Sequence, residues 1–108
     1  MIRITVYKGK DGTYKGFKVS GHSGYARTGE DIVCAAVSAI VINTVNSVEK
    51  FTKDAFTCNQ DEAQGLMEVS FAGTLSEDGR LLMDSMVSGL EDISKEQMRY
   101  VRISYREV

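Results

Sequence analysis

Ile2, Ile4 and Val6 alternate with Arg3, Thr5 and Tyr7, the period-two pattern of a strand with one buried face. A polar turn follows over residues 8–13, where Asp11-Gly12 is a strong hairpin signal. Beyond it Phe17 and Val19 alternate with Lys18 and Ser20, so a partner strand over residues 14–20 is expected to pair antiparallel with the first. Residues 21–30 carry Gly21, Gly24 and Gly29 and read as a loop. From about Asp31 to Phe51 there is neither Gly nor Pro, and Val33, Val37, Ile40, Val41, Val45 and Val48 recur at helical spacing. That spacing predicts a long helix in spite of its β-branched residues. Residues 55–58 and 66–71 flank a polar turn at 59–65 and predict a second hairpin. Ser76 is a suitable cap before the acidic Glu77 and Asp78. Leu82, Met83, Met86, Val87, Leu90 and Ile93 then trace the apolar stripe of a second helix ending near residues 95–97. Val101, Ile103 and Tyr105 alternate with Arg102, Ser104 and Arg106 in a last strand.

The order ββαββαβ, with strands polar on one face, predicts an α+β two-layer sandwich: a mostly antiparallel five-stranded sheet with both helices on one face. The pattern leaves strand order open. A length of 108 residues with no repeat or linker is expected to form a single domain over 1–108. The first half of the long helix is apolar on every side. In a domain this small it needs cover on both flanks, by its own sheet and by a second subunit, so a homodimer is expected.

Charge adds mainly exclusions. Thirteen Lys and Arg stand against fifteen Asp and Glu, a formal net charge of −2, with no long run of one sign. A phosphate backbone needs cations gathered on one face, so direct nucleic-acid binding is not expected. Cys34 and Cys58 form neither a CxxC motif nor the dense framework of a small secreted domain, and the first sixteen residues contain no apolar signal segment. A cytoplasmic location is expected. The longest apolar run, residues 32–42 broken only by Ser38, falls short of the roughly 18–20 residues that cross a bilayer, so no membrane span is expected.

Candidate chemistry sits around the glycine-rich loop. His22, the chain's one histidine, and Cys34 lie on either side of it, with Cys34 placed near the start of the long helix. A thiol there feels the unpaired N–H groups and positive end of the helix, both of which favour thiolate. An imidazole beside it would take the thiol proton and later return one to a departing amine. The N–H groups of Val33 and Cys34 are candidates for an oxyanion hole. Asp31 either caps the helix or orients the imidazole, and chemistry alone favours capping. The bland readings are a small buried Cys34, a surface His22, a structural Cys58 and solvated loop positions at Tyr25 and Arg27. A zinc site from His22, Asp31, Cys34 and Cys58 lacks a closely spaced ligand pair, so no metal or cofactor is expected. Cys34 as a redox sensor would need Cys58 as its resolving partner.

The block GHSGYARTGEDIVCAAVSAI, residues 21–40, closely resembles the signature of the ribosomal-processing cysteine proteases called Prp. The length and element order of the remaining chain agree. The resemblance implies an endopeptidase that removes the N-terminal extension of large-subunit ribosomal protein number twenty-seven after aromatic residues, with that precursor as its protein partner. It implies Cys34 as nucleophile, His22 as general base, and Gly21, Asp31 and Ser38 as accessory active-site positions. It also implies a dimer and a flexible loop over the site; because that loop carries His22, a substrate segment is expected to order it. A different class remains possible on the residues themselves: a non-catalytic ribosome-assembly module that clasps a basic protein through a mildly acidic surface.

Overall fold

The computed structural model describes residues 1–21 and 28–108, with backbone alone for residues 28–31. Its elements run β1 (Ile2–Lys8), β2 (Tyr14–Ser20), α1 (Thr28–Phe51), β3 (Phe56–Asp61), a short 3-10 turn (Glu62–Gln64), β4 (Leu66–Phe71), α2 (Glu77–Glu96) and β5 (Val101–Glu107). This is the predicted ββαββαβ order. The sheet order is β3-β4-β2-β1-β5. β1–β2, β2–β4 and β3–β4 are antiparallel, and β5 lies parallel to β1 with Ile2 opposite Val101 and Ile4 opposite Ile103.

Alternation decides which way the strands face. Ile2, Ile4, Val6, Phe17, Val19, Val69 and Val101 are buried and share one core with Val33, Val37 and Val41 of α1 and Met83, Met86, Val87 and Leu90 of α2. Each large apolar side chain so enclosed contributes about 1.5–3 kcal/mol. Both helices therefore cover the same side of the sheet, as predicted. A bulge between Tyr7 and Lys8 resets the β1–β2 register so that Tyr14, paired with Lys8, also turns toward the helices. Its hydroxyl donates to Asp84 of α2 at 2.5 Å, and the Tyr105 hydroxyl donates to Glu91 at 2.6 Å. Burial, then these hydrogen bonds, raise both phenols, Tyr14 well above the usual range and Tyr105 to about 12. The Lys8 ammonium lies over both rings, 4.9 Å from Tyr14 and 5.7 Å from Tyr105.

The turns follow their chemistry. Asp11 accepts from the Thr13 hydroxyl and N–H, and Gly12 takes a φ of 84°. The Thr13 hydroxyl, then its N–H, hold the Asp11 carboxyl below its ordinary pKa. Ser76 caps α2 by accepting from the Gly79 N–H, while its own N–H and hydroxyl donate to Asp54, which fastens the α1–β3 connection to the start of α2.

One expectation changes, and the run length of α1 needs restating. α1 begins at Thr28, three residues before the predicted start, because the apolar pattern begins only at Ile32 and gives no signal for the polar first turn. The stretch Ile32–Phe51 is, by length and composition, apolar enough to cross a membrane. The run-length argument missed this because Asn43, Thr44, Asn46 and Ser47 interrupt the run without adding charge. In this fold its Val33, Val37, Val41 and Val48 are buried in the protein.

Gly16 marks the tightest approach in the sheet: a Cβ there would stand 2.2 Å from the Val69 carbonyl oxygen of β4. Backbone cannot move aside as a side-chain tip can, so Gly16→Ala is expected to destabilise the fold by about 1–3 kcal/mol or more. Gly73→Ala, which meets open space, is the control. Urea denaturation should show a lower midpoint for Gly16→Ala alone.

Candidate active site

Cys34 is the seventh residue of α1, about 9 Å along the axis from Thr28 at 1.5 Å per residue. The positive end of a helix acts mainly over its first turn, so position contributes less to activating this thiol than a start at Asp31 would have implied. In a helix beginning at Thr28, the N–H groups of Val33 and Cys34 are engaged by the carbonyls four residues back. They are not open oxyanion donors, and Asp31, already helical, is not the cap. These are corrections to the sequence reading, and both follow from the earlier helix start.

The stripe Val33, Val37, Val41 and Val48 packs on the sheet and sets the rotation of α1. Cys34 consequently lies at the margin of the core, 7% exposed. Ser38, one turn further on, is half-buried. Beside Ser38 a groove of about 390 Å³ opens between α1 and the tip of the β3–β4 hairpin. Its walls are apolar: Val37, Val41 and Ile42 from α1, Val19 from β2, and Leu66 and Met67 from β4. Gln60 and Glu62 add polar groups. The hairpin tip is held by Asp61, which accepts from the Gln64 N–H at 3.3 Å, and by Gly65, whose φ of 60° lets its N–H reach the Glu62 carbonyl.

Of the other expected site residues, Gly21 ends β2 with a φ of 84°, and a Cβ there would stand 2.1 Å from the Met1 carbonyl oxygen. Glycine is thus dictated by backbone at this position. His22, Tyr25, Arg27 and the Asp31 side chain lie outside the described residues. Cys58 is exposed on β3, it is not joined to Cys34 in a disulfide, and burial raises its thiol pKa. Among the described residues no group of three or more His, Cys, Asp or Glu is placed to hold a metal ion. Gln60, Glu62, Leu66 and Met67 were missed as site residues. They read only as a hairpin, and nothing local signals that its tip faces a helix some twenty residues upstream.

An α+β sandwich with a cysteine on its long helix, one turn from a residue that lines an apolar groove, fits a cysteine peptidase. The profile of the family described as Cysteine protease Prp matches residues 1–102, and the chain belongs to that family. The Bacillus subtilis ribosomal processing cysteine protease Prp is 29% identical over 108 residues, covering 96% of each chain. The Staphylococcus aureus protein of the same name is 26% identical over 106 residues, covering 98% of this chain and all of its own. Crystal structures of the Staphylococcus aureus protease superpose with TM-scores of 0.92 with a substrate peptide and 0.88 with a covalently linked product peptide. These are 24% and 25% identical and cover 98% of this chain and 100% of theirs.

Alkylation distinguishes an activated Cys34 from a merely enclosed one. By exposure alone Cys58 should react first, since Cys34 is 7% exposed. Activation reverses the order: with iodoacetamide near neutral pH, mass spectrometry should find Cys34 labelled about tenfold faster or more, with the raised Cys58 thiol lagging.

Proposed function

We propose that this chain is a cytoplasmic endopeptidase that removes the N-terminal extension of large-subunit ribosomal protein number twenty-seven. Cys34 is the nucleophile and His22 the general base. The observation that carries the reading is Cys34 one turn from Ser38, where α1 borders an apolar groove, in a chain of the Prp family. The Staphylococcus aureus relative has been captured with a substrate peptide and with a covalently linked product peptide, which supports acyl transfer to the thiol.

In this mechanism His22 removes the Cys34 proton and the thiolate attacks the scissile carbonyl carbon. The tetrahedral adduct collapses as imidazolium protonates the departing amine, leaving a thioester that water, deprotonated by His22, hydrolyses to acid and free thiol. Asp31 orients the imidazole, and Gly21, with its positive φ, immediately precedes His22 in the chain. The substrate runs extended along α1, with a bulky apolar side chain held among Ile42, Leu66 and Met67. One domain carries the whole activity, and no cofactor takes part.

Two copies associate through the uncovered face of α1, where Ile32 is 72% exposed in line with Ala35 and Ala39. Ile32→Asp is expected to shift the protein from dimer to monomer in analytical ultracentrifugation; a wild type that is already monomeric would remove the claim.

The decisive assay incubates the purified protein with the precursor and sequences the new amino terminus. Cys34→Ala and His22→Ala should each lower cleavage by at least about a thousandfold with unchanged circular dichroism. Precursor binding without any cut would instead favour the non-catalytic assembly module.

A further inference from the structure

We infer that the face of the sheet turned away from the helices is an RNA-docking surface. The registers place Arg3 opposite Arg102, Thr5 between Lys18 and Ser104, and Tyr7 beside Arg106. All of these alternate with the buried residues of β1, β2 and β5, so they stand on the side that neither helix covers. Arg3, Arg102 and Arg106 are exposed, while Lys18 and Tyr7 are half-buried.

Across these three strands the face carries four cations and no carboxylate; the neighbouring β4 sets one acid, Glu68, opposite Lys18. The three strands' one acid, Glu107, pairs with Lys8 and so sits on the helix side. The compensating negative charge is elsewhere: α2 holds Glu77, Asp78, Asp84, Glu91, Asp92 and Glu96 against Arg80 and Lys95. A whole-chain charge of −2 therefore conceals a group of arginines on the β1–β5 side of the sheet and an acidic α2. Strands are about 4.8 Å apart, so Arg3 and Arg102 stand side by side, and Lys18, paired with Thr5, lies diagonally across from Arg3. These cations can engage neighbouring phosphates.

The choice of polyanion rests on chemistry. An uncovered sheet face that sets an aromatic ring among arginines and hydroxyls suits single-stranded RNA, whose bases stack on the ring while guanidinium groups take phosphate and the hydroxyls of Thr5 and Ser104 meet ribose. A lipid surface offers anions to the arginines but no base to stack on the ring. A peptidase of a ribosomal-processing family works where RNA is abundant. The groove beside Ser38 lies on the helix side of the sheet, so RNA on the opposite face leaves it open.

The test measures fluorescence anisotropy of a labelled twelve-nucleotide oligouridine with the full chain. Four phosphate contacts predict a drop in affinity of about fiftyfold over a fourfold rise in salt. Arg3→Glu with Arg102→Glu should weaken binding at least about tenfold and flatten the salt dependence, with unchanged thermal unfolding. If that pair fails to fold, Arg106→Gln, on an exposed end of the sheet's edge strand, should give a smaller loss of the same kind. Tyr7→Ala should weaken binding with the salt slope intact, and Tyr7→Phe should restore it. Absence of binding at low salt, equal binding by folded Arg3/Arg102 or Arg106 variants, or binding to phosphatidylglycerol vesicles but not to the RNA would each overturn the inference.

Discussion

The seating of α1 on the sheet is the constraint on which the candidate site depends. Val33, Val37, Val41 and Val48 are almost completely enclosed, and a helix held by four such side chains cannot rotate without exposing them to water at about 1.5 kcal/mol or more apiece. That fixed rotation sets Cys34 at the core margin and Ser38 on the groove. It also turns Ile32, Ala35 and Ala39 outward. The placement of Cys34, the groove and the uncovered stripe are three consequences of one packing decision.

The second layer is organised by the same logic from the other side. α2 is held over β2 and β5 by the Tyr14–Asp84 and Tyr105–Glu91 hydrogen bonds and anchored at its start by the Asp54–Ser76 contact. The two helices cover one face only. Strand alternation then sends most polar positions of β1, β2 and β5 to the opposite face, and because those positions are largely Arg, Lys, Thr and Ser, that part of the face is rich in cations. Charge segregation is thus a by-product of building a two-layer fold from these particular strands.

The groove shows how a site is assembled from parts with unrelated local reasons. Ser38 and Ile42 belong to a helix placed by its valine stripe, whereas Leu66, Met67 and Glu62 belong to a hairpin tip closed by Asp61 and Gly65. Neither sequence segment is informative about the other. Gly21 is similar: its residue type, read as an accessory active-site position, has a sufficient cause in a positive φ packed against the Met1 carbonyl.

By itself the sequence determined the elements and their faces, since alternation in β1, β2, β4 and β5 and the stripe of α2 are short-range patterns that survive without neighbours. It also determined the family, because the block around Cys34 is contiguous. Its weakest reading was the start of α1, where a polar first turn leaves no apolar trace, and this error carried over into the expected roles of Asp31 and the Val33 and Cys34 N–H groups. Only the tertiary structure decided the strand order, the parallel β1–β5 pairing, the walls of the groove and the gathering of Arg3, Lys18, Arg102 and Arg106 on one surface. The physical reason is that each depends on which distant segments become neighbours. Net charge and periodicity are sums along the chain, and they are blind to that.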